Sequence, residues 1–444
     1  MTRLETAPYP PGIRANQALA LVAGMSDASS SHGGCHAMWK RVGLFLTVTA
    51  LAATAACATP EDDDAASSSP DQPYRIVQLL GMNQTGPAAL NAKAAAQAAK
   101  AAVAVLNERG GILGRKVELE IIETNGDPTT AVTKLTERLS KGRKPALVLP
   151  GNTSAEALPM APILTEAKIL SVQQAGSSAL NNPQKFPYLF QVVPTNDSMA
   201  AQVVTFIKAR KATKVAMLAG KDAFAQATAE ATRKAIKAAG LTLAGDETYT
   251  AEDLDMTAQL ERLRATNPDI LFMQGAGASV GYILQSRLKL GWTDIPVVAD
   301  SVATVTSLMS RAAPDGVVGA PAAQNVYVQV LAAAIVGAPE VNPGALDTMI
   351  KALKAQGEIN MPLNTFFVYD AIMVAAAAAE KAGTIDDVVK LAKTLEGFTG
   401  AEKGNWALSR YAYSATSHAV ALDPNSTAII PATLLKEGRY SPQS

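Results

Sequence analysis

Ala146-Leu147-Val148-Leu149-Pro150-Gly151-Asn152-Thr153-Ser154-Ala155-Glu156-Ala157-Leu158-Pro159-Met160-Ala161-Pro162-Ile163-Leu164-Thr165-Glu166-Ala167-Lys168-Ile169-Leu170-Ser171-Val172 holds one whole structural unit. Ala146–Leu149 is a short apolar run closed by Pro150 and Gly151, so it reads as a buried strand. Ala155–Ala167 reads as a helix, and Ile169–Val172 as a second strand. Working outward, the same rhythm holds on both sides. Upstream lie a strand at Arg75–Leu80, an Ala-rich helix at Ala88–Asn107 stopped by Gly110-Gly111, an alternating strand at Val117–Ile122 and an amphipathic stretch at Thr130–Ser140.

Downstream the rhythm restarts. Helices are expected at Ser198–Arg210, Ala225–Ala239, Met256–Ala265 and Gly277–Leu290. Strands are expected at Lys214–Leu218, Leu241–Tyr249, Ile270–Met273 and Val297–Ala299. Pro194-Thr195-Asn196-Asp197 separates the two series and reads as a crossover. The expected fold class is therefore α/β, with two doubly wound parallel-sheet lobes joined by a hinge. Lobe 1 is expected over residues 74–194 plus about 320–400, and lobe 2 over 195–319 plus the C-terminal segment. Thr365–Ala382 is an apolar, Ala-rich helix expected to pack on the first lobe.

Composition narrows the function classes. The 444 residues carry no net charge, and no basic stripe points to nucleic acid. Cys35 and Cys57 both precede the globular part, so that part has neither an internal disulfide nor a thiolate metal site. His418 is the one His beyond the leader, and as a lone His it reads as packed or solvated. No nucleophile–His–acid set can be assembled from it. The loop after the first strand, Gly81-Met82-Asn83-Gln84-Thr85-Gly86, is neither a dinucleotide fingerprint nor a phosphate loop. The chain therefore reads as a binding protein without a cofactor or metal, not as an enzyme.

Open α/β sheets bind ligands beyond the C-terminal ends of their strands, so the loops there carry the site. Thr153 and Glu156 form a capping box that starts a helix and puts Ser154 in its first turn. Helix-start amides and a hydroxyl suit a carboxylate or phosphate; a plain capped helix is the alternative. Gln173-Gln174-Ala175-Gly176-Ser177-Ser178 offers close backbone approach at Ala175 and a hydroxyl at Ser177, or simply a turn. Phe224 offers an apolar wall. Gln274-Gly275-Ala276-Gly277 is a loop without side-chain bulk. Asp300, at a strand end, suits an ammonium group; a solvated loop acid or a cap for the next helix is the alternative.

Four stretches carry a resemblance: Thr85-Gly86-Pro87, Leu106–Lys116 with Gly110-Gly111-Ile112-Leu113-Gly114-Arg115, Gly126–Val132, and Phe186–Pro194. Through them the chain resembles the leucine/isoleucine/valine-binding family of type I periplasmic binding proteins, receptors of branched-chain and related amino acid ABC importers. The similarity covers about Tyr74 to Tyr327, and more weakly continues to about Gly400. It implies that Ser154 takes the ligand carboxylate, that Ala175 and Ser177 line the head group, and that Asp300 takes the amine. Departures accompany it. Phe224 stands where the family has a ligand-touching Tyr, Gly275-Ala276-Gly277 where it has a Tyr-rich closing loop, and Gly126 and Thr153 where it has a disulfide.

The N-terminal part adds an address. Lys40-Arg41, the apolar run Val42–Ala56, Cys57 and the acidic Glu61-Asp62-Asp63-Asp64 follow the order of a bacterial lipoprotein signal. Thr54 departs from the Leu usual at that point. Residues 1–37 read as a leader or an overlong start, 38–56 as the signal, and 57–73 as a flexible tether. The expected protein is a solute-binding lipoprotein, held to the membrane by lipid on Cys57. It captures an amino acid or a related small carboxylate and passes it to an ABC permease. A bilobal sensor that signals to a partner protein is the rival.

Overall fold

A computed structural model describes residues 72–420 and 426–442. The expected leader, the signal, Cys57 and the tether as far as residue 71 lie outside them. The first half runs β1 (Tyr74–Leu80), α1 (Gly86–Glu108), β2 (Val117–Glu123), α2 (Pro128–Leu139), β3 (Leu147–Pro150), α3 (Ser154–Glu166), β4 (Leu170–Gln173) and β5 (Leu189–Pro194). The second runs α4 (Asn196–Ala209), β6 (Lys214–Gly220), α5 (Ala223–Ala238), β7 (Thr242–Tyr249), α6 (Thr257–Ala265), β8 (Ile270–Met273), α7 (Ser279–Lys289), β9 (Val297–Ala299) and β10 (Val326–Leu331). Then follow α8 (Ala345–Gln356), α9 (Pro362–Ala382), α10 (Val388–Glu396), β11 (Ala419–Val420), β12 (Thr427–Pro431), β13 (Leu435–Lys436) and β14 (Arg439–Tyr440).

The strands form two six-stranded sheets, ordered β11-β5-β4-β3-β1-β2 and β12-β10-β9-β8-β6-β7. Every neighbouring pair is parallel except β10 and β12, and β13 with β14 makes a separate antiparallel hairpin. Short strands buried on both faces explain the continuous apolar runs: all four residues of β3 and of β8 are buried. The expected doubly wound lobes are thus present, and each sheet reverses its order beside its first strand. The chain passes between the sheets after Pro194, between Leu331 and Ala345, and between Val420 and Thr427. β10 belongs to the second sheet, so the chain leaves that sheet after Leu331 and not near residue 320.

α9 is long and apolar enough to cross a membrane, yet nearly all of it is buried inside the protein. It lies on α1, β4 and β5, as a helix apolar all round must. Of its charged residues, Asp370 alone is buried; Glu380 and Lys381 lie in its exposed last turn. Asp370 is fully buried and accepts from the backbone N–H groups of Ala407 and Leu408, at 2.9 Å each, and from the Tyr411 hydroxyl at 2.8 Å. That carboxylate ties the irregular segment after Phe398 to the first lobe. His418 is fully buried as well, stacked on Phe190 at 3.9 Å between ring centres, with Nδ1 3.0 Å from the Leu189 carbonyl and Nε2 3.3 Å from Glu396. It is a packed histidine.

Candidate functional site

The loops after β3 and β4 meet. Gly151 has φ of 80°, and its backbone lies so close to Glu156 that a Cβ would fall 2.8 Å from that side chain. This tight turn lets Thr153 cap α3, its Oγ1 accepting from the Glu156 N–H at 3.3 Å. The Glu156 carboxylate does not return to the Thr153 N–H as a full capping box would. It accepts from Thr124 Oγ1 at 3.0 Å, Thr153 Oγ1 at 3.1 Å and the Asn152 N–H at 3.4 Å. The acid thereby anchors the helix start to the end of β2 and leaves the first turn facing the strand ends.

Ser154 is the first residue of α3 and is buried. Its Oγ accepts from the Ser177 N–H at 3.2 Å, which keeps the serine proton free to donate elsewhere. Ser177 Oγ accepts from the Ala179 N–H at 3.3 Å and so caps the short turn that follows. Gln191, on β5, brackets the loop from below: its Nε2 donates to the Ala175 carbonyl at 2.6 Å and to the Ser177 carbonyl at 3.2 Å. Gln174 Nε2 donates to Asn152 Oδ1 at 2.9 Å and links the two loops. Ser154, Ala175 and Ser177 therefore form one rigid surface.

Phe224 reaches this surface from the second lobe. α5 starts at Ala223, capped by Asp222, whose Oδ1 accepts from the N–H groups of Phe224 and Ala225 at 3.1 and 3.0 Å. The half-buried Phe224 ring lies against Gly176, 3.4 Å from where a Cβ would stand there. Asn196, the first residue of α4, arrives from the crossover; its Oδ1 is 3.7 Å from the same point.

Asp300 and Ala276 sit in a second cluster on the second lobe. Asp300 follows β9, is 4% exposed, and neither carboxylate oxygen has a hydrogen-bond partner. It stands at the N-terminus of a short 3-10 turn without capping it. Neither a solvated acid nor a capping acid describes it. Burial pushes its pKa up to about 8; nearby backbone N–H groups of Ala303, Val302 and Gly275 oppose the rise, and the Asp222 carboxylate adds to it. Tyr249, from the end of β7, donates its hydroxyl to the Gln274 carbonyl at 3.1 Å. Burial and the carboxylates of Asp300 and Asp222 hold that hydroxyl well above its ordinary pKa. The exposed Ala276 lies beside it, in the loop whose Gln274 side chain accepts from the Gly220 N–H at 3.0 Å. No hydrogen bond joins Asp300 to the Ser154 surface among the described residues. Each lobe thus presents one polar wall.

Gln191, Asn196 and Tyr249 were not expected from the sequence. Gln191 is a lone amide in the apolar run Leu189–Pro194, a signal that was there to be weighed. Among the described residues no group of three or more His, Cys, Asp or Glu is placed to hold a metal.

The profile of a family described as periplasmic binding protein matches residues 75–422. Leu/Ile/Val-binding protein homolog 3 of Brucella melitensis is 26% identical over 70% of this chain and 80% of its own. Leu/Ile/Val-binding protein BraC3 of Rhizobium johnstonii is 24% identical over 70% and 81%. Among solved structures, a type 1 periplasmic binding protein from Bordetella pertussis superposes with a TM-score of 0.68 at 18% identity, over 84% of this chain and all of that one. The branched-chain amino acid transporter substrate-binding protein LivJ of Streptococcus pneumoniae, solved with isoleucine, gives 0.65 at 18% identity over 83% and 98%.

Proposed function

Because this chain belongs to the Leu/Ile/Val-binding periplasmic binding proteins, solute-binding proteins that work outside the cytoplasm, we propose that it captures an amino acid or related small carboxylate between its lobes for an ABC importer. Ser154 and the Ala175–Ser177 loop receive the carboxylate, Asp300 receives the amine, and Phe224 and Ala276 face the rest of the ligand. The observation that carries this reading is Asp300, a buried carboxylate at a strand end with both oxygens unbonded. A buried, unpaired acid is costly unless a cation completes it. The family's relation to amino acids supports an ammonium group as that cation. Closure of the lobes brings the two walls onto one ligand, and the permease reads the closed form.

A thermal-shift screen of the twenty L-amino acids and small carboxylates tests the reading. A true ligand at a thousandfold excess over its Kd stabilises the protein by about 4 kcal/mol. A screen in which none of them raises Tm overturns it. Ser154→Ala removes a hydrogen bond to a charged oxygen, about 1.5–3 kcal/mol, so calorimetric titration should show at least tenfold weaker binding of whichever amino acid scores.

Lipidation at Cys57 completes the proposal, since it would hold the receptor beside its permease. Metabolic labelling with palmitate should mark the wild-type protein and fail with Cys57→Ala. Labelling that survives the substitution removes the anchor and leaves the binding site untouched.

A further inference from the structure

We propose that Asn196 is a direct ligand contact, its side-chain amide donating to the carboxylate of the bound solute from the crossover between the lobes. This deepens the amino acid reading and rests on it. Asn196 occupies the first position of α4, but capping there is done by its neighbour: Thr195 Oγ1 accepts from the Ser198 N–H at 3.4 Å. Asn196 is left with no such duty. It is 4% exposed, and its Nδ2 is cut off from solvent without a hydrogen-bond partner. A buried amide without a partner costs stability that an apolar side chain of similar size would not.

Its position says what completes it. Asn196 Oδ1 stands 3.7 Å from the Cβ position of Gly176, between Ala175 and Ser177, and the Phe224 ring reaches the same point from the other lobe. Because Gly176 has no side chain, the amide and the ring both border the head-group loop. The Ser177 N–H is bonded to Ser154 Oγ, while Ser177 Oγ only accepts, from the Ala179 N–H, and keeps its own proton free. The Ser154 and Ser177 hydroxyl protons are available, and Asn196 Nδ2 is a further donor without a partner. One carboxylate can then be held by a hydroxyl from α3 and by the Asn196 amide of α4, once that amide turns Nδ2 in place of Oδ1 toward Gly176.

Asn196→Leu keeps the volume and removes the amide; Asn196→Ala is the second variant should the larger side chain disturb packing. Both should fold with a ligand-free Tm at or above that of wild type, because no hydrogen bond is lost. Both should bind the best-scoring L-amino acid about tenfold or more weakly in calorimetric titration, the loss expected for a hydrogen bond to a charged group. The ligand-free radius of gyration by small-angle scattering should not change. Wild-type affinity in both variants overturns the inference and leaves the amino acid reading standing. Weakened binding with a shifted radius of gyration also overturns it, since Asn196 would then act on the hinge and not on the ligand. Absence of amino acid binding by the wild-type protein overturns both at once.

Discussion

Titrating an amino acid ligand into this protein at pH 6.5 should release about one proton per molecule bound. The unliganded Asp300 carboxyl, pushed up to about 8 by burial, is protonated at that pH. An ammonium group arriving beside it favours the carboxylate and drives the proton out. The observed enthalpy should therefore differ between phosphate and Tris buffers by roughly the difference in their ionisation enthalpies. Affinity should rise about tenfold per pH unit from about pH 5.5 to 7.5 and level off above pH 8. Stability without ligand moves the other way. The folded pKa lies above the unfolded value of about 3.9, so the contribution of Asp300 is largest below about pH 4 and is lost as pH rises to about 8. Asp300→Asn should flatten both profiles, abolish proton release and weaken binding at least tenfold, the cost of a charge-assisted contact of about 1.5–3 kcal/mol. Identical enthalpies in the two buffers would show that Asp300 does not receive the amine.

Asp370→Ala should destabilise the protein by about 3–5 kcal/mol, because each buried donor left without an acceptor costs about 1–3 kcal/mol before relaxation. Three donors depend on this carboxylate: two backbone N–H groups and the Tyr411 hydroxyl. Burial raises its pKa to about 7, and these three hydrogen bonds hold the rise in check. The urea midpoint of unfolding measures the loss. Amino acid affinity of the folded variant should stay near that of wild type, since Asp370 hydrogen-bonds only Ala407, Leu408 and Tyr411 and none of the strand-end loops. A midpoint within the error of wild type would mean that the Trp406–Tyr411 segment is held by packing alone.

The alternation of short apolar runs with helices was enough to read the central strands of both sheets, because strands covered on both faces by helices leave so plain a pattern. β4, α4 and α7 shifted by only a residue or two from their expected ends. β5, β10, α8, α10 and the C-terminal strands escaped the reading. β11, for one, is two residues long and is held in the sheet by β5 and not by its own propensity. The site was legible where a strand end, a cap and a hydroxyl lie together in sequence, as at Thr153–Ser154. Asn196 was read only as part of a crossover, and Gln191 only as part of an apolar run. Their roles come from loops distant in sequence that the fold lays against them. Asp300 was legible as a strand-end acid, but its lack of any partner is a fact of packing.

The edge strands β11 and β12 have a consequence for how the molecule comes into being. Each is the last piece of its sheet, and both lie in the final tenth of the chain. α9, the spine of the first lobe, is also made after the whole second sheet except β12. A ribosome that has emitted both lobes' central strands has therefore finished neither. Long-range parallel pairing is slow because distant segments must be brought together first. Neither sheet of the described fold can close before β11 and β12 join it, so the two lobes reach their final form together and late.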